Sequence, residues 1–184
     1  MAGPELEDFV ATLDRAVTQT GERLAEMSAE SPVLLVFLRH AGCTFCREAL
    51  ADIARARGAI DATGTRIVLV HMRDSGAMER LMEKYGIAEL DRICDSAQRL
   101  YRLFGLGRAR IRELFAPGVV WRGLHAGLLS GHGIGRVTAD ARQMPGLFLL
   151  DGAVIVRRFR HRTVADRPDY AGICSAYRKF GSWV

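Results

Sequence analysis

The sequence lacks any apolar run of the length, about 20 residues, that a helix needs to cross a bilayer. Its first residues, MAGPELEDFVATLDRAV, also lack the basic start and the apolar stretch of a secretory signal. We therefore expect a cytoplasmic protein without a membrane partner. The chain has no internal repeat, linker or low-complexity tract, and its 184 residues suffice for one hydrophobic core. A single domain over 1–184 is the expected organisation.

Lysine is nearly absent, and Lys84 and Lys179 are the only two in a chain whose formal net charge is +5. A preference for arginine of this kind is typical of a GC-rich bacterial genome and carries no functional information. The densest basic run is VRRFRHR at 156–162. We interpret it as the solvated end of a strand rather than as a nucleic-acid patch, and we expect no nucleic-acid partner.

Cysteine is also scarce, and four cysteines do not make a disulfide scaffold in a chain of this length. Cys94 and Cys174 stand alone, and we expect both to be small buried apolar residues. Cys43 and Cys46 are different, because they form a C-x-x-C pair within the stretch RHAGCTFCREAL at 39–50. The surrounding sequence indicates what this pair does.

Apolar periodicity predicts alternating helices and strands after a helical N-terminal extension at about 5–30, interrupted near Gly21. The predicted elements that follow are a strand at 33–38, a helix at 46–57 closed by Gly58, a strand at 66–72, a helix at 75–86, a strand at 92–95 and a helix at 97–105. Alternation of this kind predicts a parallel sheet covered by helices.

The last third of the chain departs from this alternation. Residues about 106–141 are glycine-rich and aperiodic, which predicts an irregular insertion. We expect it to cap the cysteine pair through Trp121 and His132, with packing on a remote edge as the alternative. Two apolar runs then meet at Asp151-Gly152, a strong hairpin signal, and a final helix is expected at about 169–180. The fold class is therefore α/β, with a mixed central sheet flanked by helices.

The C-x-x-C pair lies between a buried strand and a helix, at the edge of the sheet where functional groups collect. The positive helix N-terminus, with Arg39, His40 and Arg47 nearby, favours a thiolate, which is the attacking species in disulfide exchange. Redox chemistry is therefore the favoured interpretation. A zinc site is less favoured, because it needs about four ligands and the sequence has no second C-x-x-C and no H-x-x-x-H pair. An inert pair is the other alternative, and the exposure expected of a strand–helix turn argues against it.

The C-x-x-C turn, together with Met144-Pro145-Gly146 before a late hairpin strand, resembles the thioredoxin superfamily. The segments FLRHAGCTFCREAL, CDSAQRLYRLFGL, GLLSGHGIG and QMPGLFLLDGAVI resemble peroxiredoxin-like proteins of the alkyl hydroperoxide reductase/thiol-specific antioxidant group, and more narrowly the selenoprotein-L-related redox proteins. The resemblance implies a thioredoxin-like fold from about 33 to 180. It also implies that Pro145 is cis and lies against the sulfurs, and that Met144 offers backbone groups to a substrate.

The sequence departs from both parent patterns. Peroxiredoxins carry P-x-x-x-T-x-x-C, and if Cys46 takes the place of the peroxide-reducing cysteine, Cys43 replaces the Thr and Arg39 replaces the Pro. Their arginine before the G-L-F strand is Pro145 here. Thioredoxins have an acidic residue six positions before the first cysteine, and here that residue is Phe37. A proton acceptor must then come from elsewhere; His40 is a candidate, and the alternative is a loop histidine bonded to the backbone.

The leading hypothesis is a thiol–disulfide oxidoreductase in which Cys43 and Cys46 are catalytic. The residues expected to support substrate binding are Arg39, His40, Thr44, Phe45, Met144 and Pro145. A peroxiredoxin-like thiol peroxidase acting on hydrogen peroxide or alkyl hydroperoxides is the first alternative, and a non-enzymatic binding module is the second. The thioredoxin analogy makes Cys43 the nucleophile, whereas the peroxiredoxin analogy makes it Cys46.

The expected partners follow from that chemistry. The substrate is a protein disulfide, a small-molecule disulfide or a peroxide. Electrons come from an external thiol donor of the thioredoxin or glutathione type, so no cofactor and no metal are expected. The sequence leaves the oligomeric state open.

Overall fold

The computed structural model describes residues 3–73, 75–108, 140, 142–163 and 165–178. The glycine-rich insertion, with Trp121 and His132, lies almost entirely outside these residues, so its position relative to the cysteines stays a prediction. Within the described ranges, no helix is long and apolar enough to cross a membrane.

The N-terminal extension consists of two helices, α1 (Gly3–Arg15) and α2 (Leu24–Glu30). Gly21 lies in the turn between them with a φ of +88°, a backbone conformation that favours glycine. The predicted interruption near Gly21 is therefore confirmed.

The alternating part of the chain follows the predicted order. Its elements are β1 (Val33–Phe37), α3 (Thr44–Asp61), β2 (Arg66–His71), α4 (Ser75–Lys84), β3 (Asp91–Cys94) and α5 (Arg99–Leu103). The prediction that Gly58 closes the helix after the cysteines is wrong, because α3 continues to Asp61. The fully buried Ile60 holds the last turn against the core, and this burial outweighs the roughly 1 kcal/mol that a glycine costs inside a helix.

The predicted hairpin is formed by β4 (Gly146–Asp151) and β5 (Val154–Arg160), and α6 (Tyr170–Arg178) follows it. Asp151 pairs with Val154, so the turn lies one residue later than predicted, at Gly152 and Ala153. The register shifts between Leu149 and Leu150, which marks a bulge. The basic run at 156–162 is largely the exposed edge strand β5, which confirms its interpretation as a solvated strand.

The five strands form one mixed sheet in the order β3-β2-β1-β4-β5. β1 is central and pairs in parallel with β2, which pairs in parallel with β3. On its other side β1 pairs antiparallel with β4, and β4 with β5. This is the mixed, helix-flanked α/β architecture that the sequence predicted, and it agrees with the thioredoxin-like fold that the resemblance implied.

The strand side chains alternate between two separate cores, one on each face of the sheet. Leu34, Val36 and Leu38 face a core that contains Cys43, Cys46 and parts of α3, α4 and α6. Val33, Leu35 and Phe37 face the other core, which is covered by α1, α2 and α5 and is rich in aromatic rings. Cys43 and Cys46 therefore belong to the α3 side of the sheet.

The carboxyl ends of β1 and β2 are tied together by Tyr101 of α5. Its hydroxyl donates a hydrogen bond to the carbonyl of Leu38 and lies 3.1 Å from the carbonyl of Val70. The Leu38 N–H itself donates to the Val70 carbonyl at 2.8 Å. The fully buried Tyr101 thus fixes the backbone directly before the turn that carries the cysteines.

We expect Tyr101→Phe to lower the free energy of unfolding by about 1–3 kcal/mol, because the substitution keeps the ring but removes the hydroxyl donor from the buried Leu38 carbonyl, while the Val70 carbonyl keeps the Leu38 N–H. Urea denaturation followed by circular dichroism measures this change. An unaltered midpoint and slope would show that the hydroxyl does not stabilise this edge of the sheet.

Candidate active site

The cysteines are positioned by the turn that joins β1 to α3. Cys43 is the residue directly before the helix, with an extended backbone, and its N–H donates to the His40 carbonyl at 3.0 Å. Cys46 lies one turn into α3, so the i and i+3 positions face each other. The Arg47 side chain closes the turn by donating from Nε to the Ala41 carbonyl at 3.0 Å.

Both sulfurs are buried, which corrects the exposed position that the sequence led us to expect. Cys43 is 7% exposed and Cys46 is 3% exposed. Their neighbours Arg39 and His40 are buried too, although both carry polar side chains. The turn folds back into the α3-side core because the helix presents its first turn to the sheet rather than to solvent. Cys43 is the more accessible thiol of the two.

Arg39 contacts both sulfurs. Its backbone N–H donates to Cys46 Sγ at 3.2 Å, and its guanidinium Nη1 donates to Cys43 Sγ at 3.5 Å. Arg39 was expected from sequence to add positive charge near the pair and to support substrate binding. The structure assigns it a directional contact with each thiol.

The two thiols have opposite acidities. The pKa of Cys43 is lowered from 9.0 to about 6, first by the hydrogen bond from Cys46 and then by the charge of Arg39 and the backbone N–H groups of Cys46 and Phe45, against the opposing effect of burial. The pKa of Cys46 is raised well above 9.0, first by burial and then by its interaction with Cys43. At neutral pH the pair therefore holds one thiolate, at Cys43, and one thiol, at Cys46.

His40 is neutral at physiological pH. Burial, followed by the charge of Arg39, lowers its pKa to about 4. Its Nδ1 is buried and has no hydrogen-bond partner among the described residues. Nδ1 therefore does not make the backbone hydrogen bond that the alternative of a loop histidine would require. His40 also does not line the pocket next to Cys46, so the pocket gives no support to its role as proton acceptor for that thiol.

Pro145 and Met144 precede β4 as expected, but the cis Met144–Pro145 bond that the resemblance implied is wrong. No cis peptide bond occurs in the described part of the chain, so the Met144–Pro145 bond is trans. The backbone groups of Met144 are already used: its N–H donates to the Gly107 carbonyl at 3.0 Å, and its carbonyl accepts from Gln143 Nε2 at 3.3 Å. The carbonyl oxygen keeps a second lone pair, so the substrate-binding role of Met144 stays a prediction.

A small pocket of about 20 Å³ adjoins Cys46. Of the predicted site residues it brings together Arg39, Phe45, Cys46 and Pro145, whereas Cys43, Thr44, His40 and Met144 do not line it. Thr44 and Phe45 are half-buried in the first turn of α3. The pocket volume is enough for about one water molecule.

Polar residues that sequence reasoning missed form the far wall of this pocket. They come from α3, from the end of β5 and from the chain before and within α6: Glu48, Asp52, His161, Asp166, Arg167 and Tyr170. The Arg167 guanidinium donates through Nε and Nη2 to the two carboxylate oxygens of the buried Asp52. Asp52 and Arg167 are 115 residues apart, so the sequence did not predict their ion pair. The only signal was that Asp52 lies in the helix that follows C-x-x-C.

The remaining cysteines divide. Cys174 is buried as expected, and burial raises its pKa to about 11. The expectation of burial was wrong for Cys94, which is exposed because it ends the edge strand β3. In the part of the chain that the structure describes, no three His, Cys, Asp or Glu side chains cluster as a metal site.

The chain is similar to known proteins both in sequence and in fold. A model of the AhpC/TSA family matches residues 3–158. Prostamide/prostaglandin F synthase of Salmo salar is 28% identical over 108 residues, which cover 59% of this chain and 53% of that protein. The chain thus matches only about half the length of that relative. The protein of the same name from Danio rerio is 25% identical over 166 residues, covering 86% of this chain and 81% of the other.

Solved structures show the same fold at low identity. Peroxiredoxin Q of Xanthomonas campestris superposes with a TM-score of 0.59 at 15% identity, over 92% of this chain and 91% of that one. Peroxidoxin BcpB of Mycobacterium tuberculosis gives 0.60 at 13% identity, over 88% and 90%. A secreted M. tuberculosis disulfide oxidoreductase homologous to E. coli DsbE gives 0.53 at 16% identity, over 88% and 93%.

The acidity of Cys43 gives a direct test of the site. Because the thiolate is the nucleophile, we expect the alkylation rate of Cys43 by iodoacetamide to rise with pH and to reach half its maximum near pH 6. Cys46→Ala removes the largest contribution and should move the midpoint toward 9.0, while Cys46→Ser keeps a donor and should move it less. Peptide mass spectrometry separates Cys43 from the exposed Cys94. Equal midpoints in all three proteins would contradict this account of the acidity.

Proposed function

The chain belongs to the AhpC/TSA family and is a thiol-based oxidoreductase, and from this premise we propose that it acts as a thiol–disulfide oxidoreductase through Cys43 and Cys46. Cys43 is the attacking residue in this proposal and Cys46 resolves. The order follows the thioredoxin pattern and not the peroxiredoxin pattern. Electrons are supplied by an external thiol donor of the thioredoxin or glutathione type, without a bound cofactor.

The opposite acidities of the two thiols carry the proposal. A reaction by exchange needs one thiolate to start it and one thiol held in reserve next to it. Cys43, with its pKa lowered to about 6, is ionised at neutral pH, while Cys46 remains protonated. The Arg39 guanidinium at 3.5 Å stabilises the Cys43 thiolate. Cys46 as first nucleophile is disfavoured because burial holds its proton.

The exchange balances in two steps. The Cys43 thiolate attacks one sulfur of a substrate disulfide, so that a Cys43–substrate disulfide forms and the other substrate sulfur leaves as a thiolate. Cys46 then loses its proton and attacks Cys43 Sγ, which forms the Cys43–Cys46 disulfide and releases the second substrate thiolate. The substrate gains two electrons, and the external thiol donor returns two electrons to the protein.

Trapping of the covalent intermediate tests the order of attack. In Cys46→Ser the mixed disulfide at Cys43 cannot be resolved, and we expect it to accumulate with a disulfide substrate. Cys43→Ser should accumulate none at Cys46 on the same timescale. Intact mass spectrometry with non-reducing peptide mapping distinguishes the two. Accumulation only in Cys43→Ser would assign the attack to Cys46 and reverse the proposed order.

Reduction of a peroxide is the second candidate, and the contact between Arg39 and Cys43 Sγ favours it, because a guanidinium beside the thiolate can also polarise a peroxide. The thiolate would attack one peroxide oxygen to give a sulfenic acid and an alcohol or water. Cys46 would then condense with the sulfenic acid to form the disulfide and water. The name of the curated relatives, prostamide/prostaglandin F synthase, adds the formation of prostaglandin F to the reactions worth testing.

Stopped-flow oxidation by hydrogen peroxide and by an alkyl hydroperoxide separates the two candidates. The Cys94→Ser protein should be used, because its exposed thiol is removed while Cys174 stays buried. For a disulfide oxidoreductase we expect a slow, non-saturating reaction typical of an unassisted thiolate. A rapid, saturating reaction that Cys43→Ser abolishes would instead establish the peroxidase.

A further inference from the structure

The resolving step of the proposed exchange needs a group that takes the proton of Cys46. The pKa of that thiol is raised well above its ordinary value, so it does not ionise unaided at neutral pH. The adjoining strand offers no acceptor, because the side chains of Val36 and Leu38 that face Cys46 are aliphatic and the Phe37 ring lies in the opposite core. The acceptor must therefore come from another wall of the pocket.

His161 is placed at that wall by the hairpin. Gly146 pairs with Arg160, so the residues that follow this pair outward, Pro145 and His161, lie opposite each other at the active-site edge. The His161 ring packs edge-on against Phe159, with centroids 5.1 Å apart and planes at 87°. It also interacts with the backbone of Pro145 and of Asp166. These contacts fix the imidazole beside the pocket.

One ring nitrogen of His161 is left over. Nδ1 is buried and has no hydrogen-bond partner among the described residues. A neutral imidazole whose Nε2 carries the proton presents a lone pair at Nδ1. Such a buried lone pair is unfavourable unless it has a donor to accept from.

The pocket joins this lone pair to the thiol. Cys46 and His161 both line it, and its volume of about 20 Å³ is enough for about one water molecule. Cys46, His161 and Tyr170 would give that water three polar neighbours. A proton acceptor can act through one such water.

We propose that His161 accepts the proton of Cys46 in the resolving step, through a water molecule in the pocket that the two residues share. The inference rests on the proposed function. The proton passes from Cys46 Sγ to the water, and a proton of that water passes to His161 Nδ1. The sulfur then attacks Cys43 Sγ, and the substrate thiolate leaves. His161 afterwards returns the proton to the released thiolate or to solvent, so the protein is unchanged except for its new disulfide.

The surrounding charges suit this role. Burial lowers the pKa of His161 below its ordinary value, so the ring is neutral and able to accept at pH 7. The Asp166 carboxylate acts in the opposite direction and stabilises the imidazolium once it forms. The other charged or titratable groups that face the pocket are Arg39, Glu48, Asp52, Arg167 and Tyr170, and Asp52 and Arg167 are paired with each other.

Ellman's reagent tests the proposal, because it releases one coloured thiolate when Cys43 attacks and a second when Cys46 resolves. In full-length protein carrying Cys94→Ser, we expect His161→Gln to leave the first release unchanged and to slow the second by about 100-fold at pH 7. Arg162→Gln is the matched control on the same turn, since the Arg162 side chain is exposed, and it should alter neither release. A second release as fast in folded His161→Gln as in the parent would overturn the proposal.

The pH dependence of the parent protein gives an independent readout. The second release should speed up as the pH rises through the lowered pKa of His161 and then level off, whereas in His161→Gln it should rise only toward the high pKa of Cys46. If the rate of the second release in the parent shows no such inflection with pH, the proposal fails. This result does not require His161→Gln to fold. If the parent releases only the first thiolate, Cys46 does not resolve the mixed disulfide. The proposed function is then wrong, and this inference, which depends on it, is wrong as well.

Discussion

The double contact of Arg39 with Cys43 and Cys46 is the interaction on which the site depends. A guanidinium buried to this extent costs several kcal/mol unless negative charge compensates it, and Arg39 is only 6% exposed. The Cys43 thiolate supplies such a charge at 3.5 Å. Burial of the arginine and ionisation of the cysteine therefore stabilise each other. Because a disulfide carries no charge, the same contact favours the reduced pair and makes the oxidised pair the better oxidant.

Arg39 owes its position to the sheet and to α5. The ladder between β1 and β2 continues one residue further, to Leu38, whose N–H bonds to Val70 and whose carbonyl accepts from Tyr101. The chain leaves the sheet only at the next residue, where the Arg39 N–H turns toward Cys46 Sγ. The aromatic core on the other face of the sheet thus determines, through Tyr101, where the sulfur contacts begin.

Local patterns in the sequence were enough to predict the elements, and they placed C-x-x-C at the correct turn. Apolar runs and helical spacing report local structure, so the strands came out within one or two residues. The burial of the pair, in contrast, depends on how the first turn of α3 packs against distant elements. The bulge at Leu149 and Leu150 shifts the register by one residue and thereby brings His161, rather than Arg160, opposite Pro145. No local pattern indicates such a shift.

The phenylalanine that stands where thioredoxins have an acid shows why the titratable groups of this site come from late elements. Side chains alternate along β1, so Phe37 points away from Cys46 and into the aromatic core, 5.0 Å from the Tyr101 ring and 5.6 Å from the Phe148 ring. A carboxylate there would be buried among rings without a partner, at a cost of several kcal/mol. The residues of β1 that face Cys46 are aliphatic. Among the described residues, the other charged and titratable side chains beside the resolving thiol come from the Arg39 turn, from α3, from the end of the hairpin and from the chain before and within α6, which is where Asp52, His161 and Tyr170 lie.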